Sequence, residues 1–491
     1  MRQPIHLVRL FLRIGLGFGL FHKLGSLLFG QQIAAVISLT WKAAFRYRLF
    51  WVIALLLVGA VVGLPILLKD DGTAEGFAQI LITYTLGAVT GLLGLCTLWL
   101  ACGTLARDVE DCQIQMVAVK PIARWQIWVG KWLGLVTLNA ALLGVAGACV
   151  FGLLEWRARK LPAPLKAKLQ NEVLVARGSA HEDSLDSQID SETDQLLQER
   201  SKKGRLEGVD LNSARALLRA QVKAGYEVVG PDRGRRWVIH LGKARDELQG
   251  KPLFLRVKFN TGQTSFTDVT YLGMWYVGVP QKTRLFQSEE MSLSPDTFHE
   301  FPIPANLFDA NGDLTIVFRN LDQTTLLFPL EDGMEVLYRE GGFGMNFIRG
   351  LGIILAWMAL LGALGMAAAS FLSFPVAAFV SLAMLVVVFS SGTMMNAVQD
   401  GGLLGYDPSK GGHARTPLDF VILPTFQALL QVIDLAKGYS PIDSLSTGRA
   451  ITWTELGLAV ARIVLLLGGV LAAFGIFVFS RRELATAQGT N

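Results

Sequence analysis

Six histidines, His6, His22, His181, His240, His299 and His413, and four cysteines, Cys96, Cys102, Cys112 and Cys149, are the side chains best suited to metal or nucleophilic chemistry. Neither set shows the close pairing that zinc sites use. No cysteine falls between Glu155 and Met345, so a disulfide framework or Cys-based metal site is not expected there. Asp309, Asn311 and Asp313 in FDANGDL space oxygen ligands as a calcium loop does, but Gly312 stands fourth where an EF-hand needs glycine sixth, and no glutamate follows at the twelfth position. The Asn311-Gly312 pair predicts a hairpin turn instead. Trp275 and Tyr276 offer faces for sugar stacking, yet strand alternation assigns one of any adjacent pair to a core. No phosphate-cradling loop of the G-x-x-x-x-G-K-[ST] type occurs, since Gly130-Lys131-Trp132 and Gly242-Lys243-Ala244 lack both hydroxyl and loop. With no nucleophile–base set either, the chain reads as a non-enzyme with no cofactor and no metal of its own. What remains is a polar run, Asp108, Glu110, Asp111 and Gln113, followed by Lys120, Pro121 and Arg124. Carboxylates suit the positive end of a short helix, and Lys120-Pro121 would stop it. That chemistry is docking: a compact polar helix offered to a partner.

The elements that carry this run are apolar. Hydrophobic residues make up 52% of 491 positions, with mean hydropathy +0.42, far above what a soluble surface tolerates. They gather into six runs of the length that crosses roughly 30 Å of hydrocarbon: Phe50 to Leu68, Phe77 to Gly103, Ile127 to Leu154, Phe347 to Leu372, Pro375 to Met395 and Leu458 to Phe479. Lys131, Arg349 and Arg462 lie near span starts, where long cations snorkel. The span centres hold no charge, which argues against proton coupling or voltage sensing. A formal charge of +5 follows topology and not one nucleic-acid-binding stripe. Cations crowd before the first span, at Arg107, Lys120 and Arg124, and at Arg481 and Arg482, so by the positive-inside rule both termini and the Asp108 run are expected in the cytoplasm.

The domain plan follows. Residues 1–49 read as interfacial amphipathic helices, with Arg2, His6, Arg9 and Arg13 on one face of an uncleaved first helix and Gln31 to Arg48 forming a second. Residues 50–154 hold spans one to three, with the docking helix near 105–123. Residues 155–345 are a polar extracytoplasmic insert: helical over 155–230, with a mobile acidic stretch Gly178 to Asp194, then an antiparallel β-sandwich over 231–345, where WVIHL, PLFLRVKF, TYLGMWYVGV and DLTIVFRN alternate with period two. Spans four and five fill 346–396, short external helices 397–457, span six 458–480 and a cytoplasmic tail 481–491. The apolar stretch Leu418 to Leu435 reads as short helices dipping toward the membrane. The fold class is therefore an α-helical membrane protein of six transmembrane helices with an inserted soluble α+β domain.

The run Leu105 to Gly134, LARDVEDCQIQMVAVKPIARWQIWVGKWLG, resembles the ABC-2 permease family, whose members carry an acidic residue, a short helix, a K-P-[ILV]-x-R turn and a G-K step into the third span. Glu110, Lys120, Pro121, Ile122, Arg124, Gly130 and Lys131 match in turn, and Cys112 stands where many members have glycine. ILPTFQ at Ile422 to Gln427, Asp434, Ile451 to Trp453 and the terminal FSRREL are similar to permeases of gliding-motility systems and copper-enzyme maturation. The likeness covers the spans but not Glu155 to Met345. It implies a membrane subunit of the bacterial cytoplasmic (inner) membrane, powered by a separate ABC ATPase that holds ATP and docks on Asp108, Glu110, Asp111, Gln113, Lys120, Pro121 and Arg124. It also implies a second permease chain, in a homo- or heterodimer, in contact with membrane lipid and not with nucleic acid. An exporter is the first expectation; an ATP-driven mechanical or scaffold complex that moves its external domain without cargo is the alternative.

Overall fold

A computed structural model describes residues 30–46, 48–67, 81–114, 122–159, 162, 169, 174–203, 211–242, 245–261, 269–400, 406–407, 412–413 and 419–482. The expected N-terminal interfacial helix, Lys120, Pro121 and most of the C-terminal tail lie outside them. The chain divides into two compact units, one formed by the segments before Val175 and after Gly341, the other by Val175–Gly341.

In chain order, the helical unit begins with α1 (Gln31–Arg46), α2 (Arg48–Val58, continuing through Gly59–Gly63 and Leu64–Leu67), α3 (Leu81–Glu110) and α4 (Arg124–Ala158). The second unit supplies β1 (Val175–Ala180), α5 (Asp186–Lys202), α6 (Leu211–Glu227) and strands β2 (Val228–Val229), β3 (Gly234–His240), β4 (Leu253–Val257), β5 (Asn260–Thr261), β6 (Tyr271–Val277), β7 (Phe286–Gln287), β8 (Met291–Leu293), β9 (His299–Ile303), β10 (Asp313–Asn320), β11 (Leu326–Leu327) and β12 (Met334–Gly342). The helical unit resumes with α7 (Phe343–Ala369), α8 (Phe374–Phe389), α9 (Ser391–Asp400), α10 (Asp419–Lys437), α11 (Pro441–Ser446) and α12 (Trp453–Arg481).

Five of these helices, α3, α4, α7, α10 and α12, are long and apolar enough to cross a membrane, and up to seven if each bent pair counts as one span. The pairs are α1 with Trp51–Gly63, meeting at 74°, and α8 with α9, meeting at 52°. The stretch expected to hold short helices is the single helix α10, which runs straight through Pro424. Pro424 is the sixth residue, past the four N–H groups that lack an intrahelical partner, so it removes one backbone hydrogen bond while the helix continues to Lys437. Helix α12 starts earlier than its apolar run because Thr452 caps it, its hydroxyl accepting the Glu455 N–H at 3.0 Å.

Helix α7 is the core of the bundle, packed against α3, α4 and α12. Small residues let it approach: a Cβ at Gly365 would lie 2.8 Å from that of Ala101. Trp132 donates from its indole to the Ala359 carbonyl at 2.9 Å, and Trp128 to Ser370 Oγ at 3.2 Å. Helix α1 carries Ile33, Val36, Trp41 and Ala44 on one face. That face was read as resting on the membrane surface; it packs instead on α4, where Gly130 and Gly134 leave room for Val36 and Thr40, and Trp41 donates to Thr137 Oγ1 at 3.0 Å. A period of 3.6 reveals an apolar face without revealing whether lipid or protein covers it.

The Val175–Gly341 unit is sheet-rich and antiparallel. One sheet runs β1-β12-β4-β9, a second β3-β10-β6-β7 with β8 also on β6, and a small third β2-β11-β5. The two larger sheets share one core, with Leu255 and Val336 from the first meeting Trp275, Ile316 and Phe318 from the second. Trp275 is fully buried, 4.6 Å from Phe318 between ring centroids, whereas Tyr276 on the opposite face is half-buried. Across the first sheet Glu335, Arg256 and Glu300 stand in register as a charged row, and Arg177 pairs with Glu300. Two expectations change here. The stretch Gly178 to Asp194 holds the end of β1 and the start of α5, and β1 draws the region read as helical into a sheet. Helices α5 and α6 form an antiparallel pair tied by Arg219 to Asp186 and Asp190 and by Arg215 to Asp194. Hydrogen bonds from Ser184 and Arg219 hold the Asp186 carboxyl below its ordinary value, and one from Arg215 does so for Asp194. In FDANGDL the Asp309 carboxylate accepts from Lys282 Nζ at 2.8 Å and from the backbone N–H groups of Asn311 and Asp313 at 2.8 and 3.0 Å. The segment is a tight turn leading into β10, with Gly312 at φ +86°; no strand precedes it to make a two-stranded hairpin, because β10 pairs with β3 and β6.

Candidate functional site

Helix α3 continues without a break to Glu110, so Asp108 and Glu110 lie in its last turn. The sequence reading placed them at the start of a separate short helix. The structure gives the reverse polarity, because the apolar run and the polar run share one helical register and no breaker separates Gly103 from Glu110. Carboxylates at a helix C-terminus meet the negative end of the dipole and need other partners. Asp108 finds Lys131 of α4, whose ammonium also donates to the Thr104 carbonyl at 2.9 Å. Glu110 Oε1 accepts the Phe374 N–H at 2.8 Å, serving as the N-terminal cap of α8, where the Ser373 side chain makes no capping bond. The Arg107 guanidinium covers the Phe374 ring at 4.2 Å.

Arg124 repeats the pattern with opposite sign. It opens α4, a poor place for a cation, and its Nη1 donates to the Ser480 and Arg482 carbonyls at 2.8 Å each, at the C-terminus of α12. Arg482 in turn donates to the Ser370 carbonyl beyond the end of α7 at 3.2 Å. Glu110 and Arg124 each sit at the wrong end of their own helix and the right end of a neighbour's. Five helix ends, those of α3, α4, α7, α8 and α12, are thereby cross-tied at one end of the bundle.

Beyond the tie the backbone turns at Asp111 and Cys112, both exposed, and Cys112 has φ +56°. Gln113 is exposed, and Ile114 is buried against the bundle. Of the docking residues read from sequence, Asp108, Glu110 and Arg124 are engaged as ties, Glu110 while remaining exposed, and Asp111 and Gln113 are exposed beyond them. Sequence reasoning counted Lys131 as a snorkelling cation and part of the G-K step, and Arg482 as part of a positive tail and of FSRREL, neither as a tie between helices. The signal that points to Arg482 is a cation just past a helix end, where bare carbonyls collect. No family model, curated protein or solved structure matches this chain. Among the described residues no group of three or more His, Cys, Asp or Glu is arranged to hold a metal. What the cluster offers is mechanical: a small polar tip at 111–113 backed by charges that bind neighbouring helices to one another.

Proposed function

We propose that this chain is the membrane-spanning permease subunit of an ATP-driven ABC-type exporter in a bacterial inner membrane, with both termini cytoplasmic, paired with a second permease chain. A separate ATPase subunit binds and hydrolyses ATP and docks on the tip at Asp111. The observation that carries the reading is the cross-tie. A displacement of the tip is passed through Lys131 to α4, through Glu110 to α8 and on through Arg124 and Arg482 to α12 and α7, which is what switching a bundle between two arrangements requires. The mechanical alternative is favoured by the insert, which has its own core and sheets and is a suitable body for such a drive to move.

Asp111→Lys, at an exposed position, should leave folding unchanged and weaken co-purification with the ATPase, since a charge mismatch at an interface costs several kcal/mol. Glu110→Ala should keep attachment but lower the melting temperature, because losing a good helix cap costs about 1 kcal/mol. Wild-type attachment and ATP turnover in Asp111→Lys would remove the docking assignment. ATP-dependent accumulation of a cell metabolite in everted vesicles separates the exporter from the mechanical alternative, which predicts turnover with none.

A further inference from the structure

Three of the apolar helices widen into π-helical turns: α2 over Gly59–Gly63, α3 over Leu81–Leu86 and α12 over Val460–Gly468. All three stretches lie toward the end of the bundle opposite the cross-tie. Helices α3 and α12 reach the tie at their C-termini and carry their π turns nearer their N-termini. Helix α4 leaves the tie at Arg124, and near its far end Arg157 donates to the Pro65 carbonyl of α2 at 2.7 Å. The π stretches of α2 and α3 also touch one another. A π turn packs an extra residue into the helix, and such turns are rare and concentrated where helices kink or function.

Two further observations mark these stretches. Thr97 and Thr104 of α3 donate to the carbonyls four residues back, Leu93 and Leu100, at 2.6 Å each. The buried hydroxyls of Thr85 and Thr90 have no partner among the described residues. The carbonyls four residues back from them belong to Leu81 and Leu86, the first and last residues of the π stretch, where the widened turn spoils the usual back-bond. Glycines border the other two stretches, and a Cβ at Gly59, Gly63 or Gly469 would meet nothing within 4 Å, whereas one at Gly94 or Gly365 would have a neighbour at 3.3 or 2.8 Å. Packing therefore explains Gly94 and Gly365 and leaves the other three, each costly in a helix, to be explained by bending.

We infer that the end of the bundle opposite the tie is a built-in hinge, at which α2, α3 and α12 re-bend through their π turns while the tied end moves as a block. The bundle is stiff where charges bind five helix ends together and compliant where the helices carry an extra residue and unpacked glycines. This stands apart from the docking of an ATPase, since none of these residues lies in the tip at 111–113.

The test is hydrogen–deuterium exchange of the full chain in lipid nanodiscs, with melting temperatures measured alongside. Amides of 81–91 and 457–470 should exchange at least about tenfold faster than those of 97–108 and 472–481, the tied halves of the same helices. Gly469→Ala should slow exchange over 457–470 about fivefold, the helical advantage of alanine over glycine, and leave the tied halves unchanged. Deleting Leu465 from the π stretch should return α12 to a regular helix with both flanks in register, so the melting temperature holds or rises and exchange over 457–470 slows. Deleting Ala473, an exposed residue in the α-helical part, should instead rotate Phe479 and Arg482 away from their partners and lower the melting temperature. Equal exchange in the two halves of α3 and α12, no slowing in Gly469→Ala, or a Leu465 deletion as destabilising as that of Ala473 would each overturn the inference.

Discussion

At Cys112 the backbone sits at φ +56° just past the last turn of α3, a left-handed angle that costs an L-residue about 1–2 kcal/mol and glycine almost nothing. The turn is a helix C-terminal one of the αL kind, the conformation that glycine suits best. Cys112→Gly should hold or raise stability, by up to about 1 kcal/mol after the extra unfolded-state entropy of glycine is subtracted, whereas Cys112→Val should lower it by about 1 kcal/mol or more. Thermal unfolding of the purified protein reads both, and a drop for the glycine variant would contradict the assigned turn. Asp309 makes a residue-scale case in the insert. The hydrogen bond from Lys282, with those from the Asp313 and Asn311 backbone, lowers its carboxyl to about 2. Because the folded value lies below the ordinary carboxylate range near 4, the contact adds stability above that range and loses it as pH falls toward 2. The stability gap between wild type and Asp309→Asn should therefore be widest at neutral pH and close by about pH 2. Urea unfolding followed by the fluorescence of Trp237 and Trp275 measures it; a gap independent of pH would mean that the charge plays no part.

Between elements, glycine spacing decides more than hydropathy. Gly130 belongs to the G-K step that the sequence offered as a family mark, and its visible role is steric: a Cβ there would lie 2.8 Å from Val36 Cβ, and one at Gly134 2.7 Å from Thr40 Cβ. Gly134→Leu should therefore push α1 off α4 and cost roughly 1–3 kcal/mol, the range for overpacking a filled interface. Cysteines placed at Thr40 and Thr137 in a cysteine-free background would report the separation: they should crosslink in the otherwise wild-type chain and fail to do so with Gly134→Leu. Retained crosslinking would show that α1 has another way to seat. The same scale explains the reversed polarity of the acidic run. Asp108 and Glu110 look like N-terminal carboxylates when the helix is judged by its own residues, and become intelligible as C-terminal ones only when Lys131 and Phe374 arrive from other helices.

For the whole molecule the sharpest expectation is sidedness. If the positive-inside reading holds, Ser187→Cys and Ser201→Cys in α5, each in a cysteine-free chain, react with a membrane-impermeant maleimide in intact cells. Labelling that appears only after lysis would invert the topology. Sequence alone determined that the chain holds several helices long and apolar enough to cross a membrane and a sheet-rich insert, because runs near 20 apolar residues and period-two strands are local properties that survive without knowledge of neighbours. It also pointed to the segment 105–134. The roles within that segment were decided only by tertiary structure, since a cap or a tie is made by residues distant in sequence: Glu110 by Phe374, Arg124 by Ser480, Arg482 by Ser370. The same holds for β1, a short strand with no strong alternation that becomes one because β12 offers it an edge. Hydropathy measures what a residue avoids, and the partner that satisfies its charge or its backbone is a fact of the fold.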